Sequence, residues 1–122
     1  MTRKQERELI YNKYNGRCAY CGEKLQKGWH VDHLEPIKRQ VGGGKKYNEY
    51  PERDNTKNKL PSCPACNINK HSMSLETFRY IIGNYINSLN NFSPQYRMAK
   101  KYGLIEETGK EVKFYFEYVQ NG

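Results

Sequence analysis

No apolar run in this sequence approaches the roughly 18 residues that a membrane-spanning helix needs, and the polar stretch Thr2 to Glu8 offers no apolar core of a secretory signal. Both absences lead to the expectation of a soluble, cytoplasmic protein with no membrane partner. Hydrophobic residues as a whole are scarce, 36% of 122, so any core is modest and a metal staple becomes useful. Acidic residues are few beside basic ones: 13 Asp and Glu against 21 Lys and Arg, for a formal charge of +8. That imbalance says nothing about fold, but it draws the chain toward a polyanion such as nucleic acid. Repeats and low-complexity stretches are also missing, which excludes a solenoid and leaves one domain with a small appended subdomain as the natural organisation.

What is present begins with cysteine. Four cysteines fall in two CxxC pairs, Cys18 with Cys21 and Cys63 with Cys66. A two-residue spacer lets a tight turn aim both thiolates at one ion. The pairs therefore suit a tetrahedral zinc site better than two disulfides, and a reducing compartment leaves such thiols free to bind metal. A four-thiolate site is closed, with no position for water or substrate, which makes its zinc structural. Four thiolates and the ion together lower the charge by two, to about +6, so the chain stays basic.

Thr2 is placed to cap a first helix running to about Asn15 and ended by Gly16, and Gly22 allows the first cysteine turn to close under a metal. Gly28 to Leu34 reads as a strand, with Trp29, Val31 and His33 alternating against His30 and Asp32, and Pro36 stops it. Ile37 to Lys57 reads as a long polar loop around Gly42, Gly43 and Gly44. From Pro36 through Lys59 there are seven basic and three acidic residues, which fits a phosphate-contacting flap, with Lys38 and Arg39 as candidates for the DNA backbone. Asn58 to Ser62 suits a second strand antiparallel to the first, and a short helix follows over Asn67 to His71, Pro64 suiting its first turn. Leu75, Phe78, Ile81, Ile82, Tyr85, Ile86 and Leu89 trace a helical stripe to about Asn90, read as core packing. Ser93-Pro94 opens another helix closed by Gly103, and Val112, Phe114, Phe116 and Tyr118 alternate as in a strand. The expected division is a core over residues 1–72 and a helical and β extension over 73–122, packed on it.

Between the cysteine pairs lies Asp32-His33. A carboxylate that holds a hard cation beside an imidazole that accepts a proton suits phosphodiester hydrolysis: the cation offsets charge on the phosphate while the histidine takes a proton from water. Neighbouring residues of a strand point to opposite faces, so these two reach one point only if the strand twists or bends there.

Taken in order, Cys18-Ala19-Tyr20-Cys21, Val31-Asp32-His33-Leu34-Glu35-Pro36, Asn58, Cys63-Pro64-Ala65-Cys66-Asn67 and Lys70 resemble the HNH endonuclease family, the ββα-metal nucleases, in its cysteine-bearing branch. The resemblance covers residues 17–71. It implies a zinc-stapled, treble-clef-like ββα-metal core; together with the N-terminal helix and the C-terminal two helices and strand read above, the expected fold class is α+β. By the same resemblance His33 is the general base, Asp32 and Asn67 are ligands of a catalytic divalent ion, and Asn58 hydrogen-bonds the backbone near His33. The commoner family pattern has His where Asn67 stands, and an oxygen donor there favours Mg²⁺ or Mn²⁺ over softer ions. Lys70 is a candidate phosphate contact. His71, four residues after Asn67 and on its helix face, is a candidate phosphate contact or third metal ligand, whereas His30 is read as a packed or exposed strand residue.

The function implied is a metal-dependent endonuclease that nicks or cuts double-stranded DNA chiefly through backbone contacts, of the kind found in phages and other mobile elements or in restriction and homing. The alternatives are a zinc-stabilised nucleic-acid-binding module without catalysis and an RNase or toxin of the same fold. Sequence preference and oligomeric state have no signature in the residues.

Overall fold

The computed structural model describes residues 1–42 and 45–119, the side chains of residues 39–48 excepted. Helix α1 (Arg3–Asn12) starts at Thr2, whose hydroxyl accepts from Gln5 N while the Gln5 side chain accepts from Thr2 N, a reciprocal cap. It stops short of the expected Asn15. Asn15 and Gly16 have φ of 54° and 77°, values an α-helix does not continue through, and Gly16 N–H closes on Tyr11 O at 3.0 Å. A Cβ on Gly16 would sit 2.6 Å from the Tyr11 hydroxyl, so a side chain there would have to displace the end of the Tyr11 ring as well as adopt the left-handed backbone.

Four strands follow: β1 (His30–His33), β2 (Arg39–Gly42), β3 (Lys45–Asn48) and β4 (Lys59–Ser62). β1 and β4 pair antiparallel with His30 opposite Ser62 and His33 opposite Lys59, the pairing expected from the sequence. β2 and β3 form a second antiparallel pair with Gly42 opposite Lys45. The stretch read as a structureless loop over Ile37 to Lys57 is therefore a hairpin followed by two single 3₁₀ turns, Pro51–Arg53 and Thr56–Asn58. Its polar, lysine-rich composition hid the strands, because it carries no apolar alternation of the kind that marks a strand in sequence.

Helix α2 (Pro64–Lys70) begins at Cys63, whose sulfur accepts from Cys66 N at 3.4 Å, with Pro64 in the first turn, where a missing N–H costs nothing. α1 is tied to the far end of β4. Lys13 Nζ donates to the carbonyls of Thr56 and Lys59, both at 2.6 Å, and Glu6 pairs with Lys59 at 2.8 Å. Ile10, Tyr20, Leu25 and Leu60 fill the small core beneath. The expected α+β class is what forms, a helix set on a two-stranded sheet.

The chain divides into two compact units, Met1–Leu75 together with the segment from Phe114, and Glu76–Lys113. Two expectations for the C-terminal part are corrected here. Val112 to Tyr118 is not a strand: after helices α3 (Leu75–Phe92) and α4 (Pro94–Lys101), residues Tyr115–Val119 form a short helix, α5. Phe114 N–H donates to Glu117 Oε1 at 2.8 Å, which starts the helix, and the two buried phenylalanines, Phe114 and Phe116, both pack edge-on against Tyr20 with ring centroids 5.6 and 6.3 Å away. The segment from Phe114 thus belongs with the first unit instead of with an extension over 73–122. The apolar stripe of α3 is also not a core face. That holds for its second half, where Tyr85, Ile86 and Leu89 are exposed; in the first half Phe78 is buried and Leu75, Ile81 and Ile82 are half-buried. Periodicity identified the helix correctly without saying whether anything covers it. Among the described residues no helix is long and apolar enough to cross a membrane.

Candidate functional site

The two cysteine turns meet because the first is laced onto β4. Ala19 N–H donates to Pro61 O at 2.8 Å, while Cys18 N–H to Glu23 O and Gly22 N–H to Cys18 O, at 2.8 and 3.0 Å, close the turn on itself. Gly22 has φ 78°, and a Cβ there would come 2.9 Å from the Tyr115 ring. The segment from Phe114 seals the outside, with Tyr115 N–H and Phe116 N–H donating to the carbonyls of Tyr20 and Ala19 at 2.9 and 2.8 Å. The sulfurs of Cys18, Cys21, Cys63 and Cys66 then all lie within 4.8 Å of one another, as free thiols and not disulfides.

A Zn–S bond of about 2.3 Å in a tetrahedron puts neighbouring sulfurs about 3.8 Å apart, and Cys21 and Cys63 are 3.8 Å apart. The thiol chemistry points the same way. Without an ion the Cys18 thiol is pulled down to about 4, chiefly by the hydrogen bond from Cys66. That same bond pushes Cys66 up, and burial pushes Cys21 up to about 12. Four thiolates this close need a cation between them to exist together. The four cysteines are arranged to hold a metal ion and are compatible with structural zinc.

A second centre opens beside it, a cleft of about 340 Å³ whose walls include Asp32, His33, Lys38, Asn67 and His71. Asp32 is only 6% exposed and both of its carboxylate oxygens have a partner. Its Oδ2 accepts from the Tyr20 hydroxyl and faces Lys70 Nζ at 3.1 Å, and its Oδ1 accepts from Asn67 Nδ2 at 3.1 Å. Burial first, and then the Asp32 charge, push the Tyr20 phenol upward, so it remains a donor to the carboxylate. Lys70 is fully buried; besides Asp32 it donates to His33 O at 2.9 Å. This corrects the expected phosphate contact: an ammonium with no exposed surface, committed to an internal carboxylate and carbonyl, does not meet a phosphate. Its spacing held the signal, since Lys70 lies one helical turn from Asn67 and shares the face of α2 that packs on β1.

His33 lines the cleft with its side chain 15% exposed, and its Nε2 lies 3.0 Å from Asp54 Oδ1. Asp54 was not anticipated from the sequence, because it is one acid among several in a basic stretch and only the fold brings it to His33. Asn58 braces the same region. Its Oδ1 accepts from Glu35 N at 2.9 Å and its Nδ2 donates to Glu35 O and Arg53 O at 2.9 and 2.7 Å, and Leu34 N–H donates to Asn58 O at 2.9 Å. One amide thus fastens the bend after His33 to the turn before Asp54. Lys38 is an exposed residue of the cleft wall with Nζ 5.8 Å from the Tyr50 ring, whereas the side chain of Arg39 lies outside the described residues. His71 caps α2 with φ 52° and is exposed, and His30 is exposed at the start of β1; both border this cleft.

Compared with known proteins, residues 18–73 match the family model described as HNH endonuclease. No curated protein and no solved structure matches the chain.

Proposed function

From a chain whose residues 18–73 match the HNH endonuclease family model, we infer a metal-dependent endonuclease that hydrolyses phosphodiester bonds of double-stranded DNA, by nicking or by cutting both strands. The single observation that carries this reading is the meeting of Asp32, His33 and Asn67 on one cleft, with the Asn67 amide 3.1 Å from the Asp32 carboxylate. Asp32 Oδ1 and the Asn67 side chain, turned to present its oxygen, would hold a Mg²⁺ or Mn²⁺ ion. Hard oxygen donors, few in number, suit an ion that keeps several of its waters. When bound, that ion supplies positive charge against the phosphate and the leaving oxygen.

His33 accepts a proton from water as the water oxygen attacks phosphorus. The bond from phosphorus to the leaving sugar oxygen breaks, and that oxygen takes a proton from solvent. Asn58 keeps the bend carrying His33 in place. Zinc held by Cys18, Cys21, Cys63 and Cys66 takes no part in the step and fixes β4 and α2 relative to the first cysteine turn. The formal charge of +8 favours a polyanionic substrate, and Lys38, exposed on the cleft wall, would meet its backbone.

Supercoiled plasmid incubated with the zinc-loaded protein and Mg²⁺ or Mn²⁺ gives nicked or linear product, and the His33→Ala variant gives none. Absence of product with either ion, or equal cutting by the variant, refutes the assignment. Binding that survives in EDTA at low salt with no cleavage under any divalent ion would identify a non-catalytic module, and preference for single-stranded RNA over duplex DNA would identify an RNase.

A further inference from the structure

The geometry points to Asp54 as the positioning residue of His33: its carboxylate takes the Nε2 hydrogen, holds the imidazole as the tautomer with a bare Nδ1, and so leaves Nδ1 as the atom that accepts the proton from water. This rests on the reading of His33 as the general base. The contact is His33 Nε2 to Asp54 Oδ1 at 3.0 Å. An ionised carboxylate only accepts hydrogen bonds, so the ring nitrogen facing it must carry the hydrogen, and a neutral imidazole then has one lone pair left, on Nδ1.

Three features keep Asp54 ionised and in place. The His33 bond holds its carboxyl below the usual range, outweighing the opposing effect of burial, and the charge of Lys59 adds to the lowering. Lys59 Nζ lies 3.5 Å from Asp54 Oδ1 and is itself paired with Glu6 of α1 at 2.8 Å, so a chain of alternating charge runs from α1 to the cleft. The backbone is set by Asp54 N–H donating to Pro51 O at 3.1 Å and by Asn58 Nδ2 holding the carbonyl of Arg53 at 2.7 Å. The imidazolium that forms when Nδ1 gains its proton is stabilised by the same carboxylate, and Asp54 itself stays unprotonated.

The test uses the full-length, zinc-loaded protein with ¹⁵N-labelled histidine. With His33 neutral, its long-range ¹H–¹⁵N spectrum shows the hydrogen on Nε2; Asp54→Ala loses that preference, and Asp54→Glu restores it in part. In plasmid cleavage Asp54→Ala lowers kcat about tenfold to a hundredfold, within the roughly 10²–10⁴ that a positioned base contributes, with KM changed less than about threefold, and Asp54→Glu recovers part of the rate. A wild-type spectrum with the hydrogen on Nδ1 overturns the inference without needing any variant to fold, as does an Asp54→Ala protein that cuts within about threefold of wild type while His33→Ala is inert. If His33→Ala itself cuts, the general-base reading falls instead, and the spectrum still reports on the pairing.

Discussion

Replacing Lys70 by Met keeps most of the stem that fills the space under α2 and deletes the ammonium. That group has no exposed surface and sits 3.1 Å from a carboxylate that is itself 6% exposed. Its removal strands the Asp32 charge and leaves the His33 carbonyl without the donor now at 2.9 Å. Breaking a buried pair from one side costs about 3–5 kcal/mol, out of the roughly 5–15 kcal/mol that holds a typical domain together. The expected result in urea unfolding of the zinc-loaded protein, with no magnesium added, is a loss of at least about 3 kcal/mol, equivalent to a drop in Tm of roughly 10 °C or more. The Asp32→Asn change in the Lys70→Met background removes the stranded charge while leaving an acceptor for Tyr20. The double variant should therefore be more stable than the sum of its single changes by at least about 2 kcal/mol. A loss below about 1 kcal/mol for Lys70→Met, or strict additivity, would show that Lys70 does not neutralise Asp32 inside the fold.

Gly22→Ala meets both a left-handed backbone cost of roughly 1–2 kcal/mol and the Tyr115 ring at 2.9 Å, whereas Gly28→Ala, at φ 93° with nothing within 4 Å, meets the backbone cost alone. Thermal melts should therefore rank Gly22→Ala below Gly28→Ala, and equal midpoints would contradict the crowding by Tyr115. Stripping the metal from the four cysteines with a strong chelator should unfold the first unit, read as loss of far-ultraviolet circular dichroism; an unchanged spectrum counts against a folding role for the metal. In acid, Glu6 and Asp54 both have folded values held below their ordinary 4.5 and 3.8, Glu6 mainly by Lys59 and Asp54 mainly by His33. Their stabilisation is present above those ordinary values and is lost as pH falls through the lowered ones, so wild type should lose stability below about pH 4.5 more steeply than a Glu6→Gln, Asp54→Asn double variant. Parallel acid-unfolding curves for the two proteins would show that these pairs contribute nothing.

The cysteine turns were legible because metal ligation by thiolates is written in short, fixed spacings, and Asp32 and His33 stood out by their place between the two pairs. Asn58 was legible through the family resemblance, and its amide does bond the Glu35 backbone just past His33. Lys70 was misread and Asp54 was not singled out, since a lysine at the end of a short helix looks solvated until the fold encloses it and an acid in a lysine-rich stretch gains a partner only when the fold brings His33 to it. The alternation of Val112, Phe114, Phe116 and Tyr118 misled for a related reason. Period-two apolarity usually records one face of a strand, but here Phe114 precedes α5 and Phe116 lies within it, and both rings address the same tyrosine. A single ring that offers more than one edge can impose on sequence the pattern that a sheet face imposes.

Strand geometry alone separates the pair at the heart of the proposed site, because side chains of consecutive residues leave opposite faces. The chain resolves this by ending β1 at His33. Asp32, still within the ladder opposite Leu60, turns inward to Tyr20, Lys70 and Asn67. His33, the last paired residue, is followed by a bend that Asn58 clamps at Glu35, so its imidazole swings toward Asp54 along the rim of the same cleft. Lys70 then couples the two, holding the side chain of one and the main-chain carbonyl of the other with a single buried ammonium. Two neighbouring residues thus reach one cleft because Asp32 keeps its place inside the ladder while His33, the last pair of the ladder, leads directly into the clamped bend.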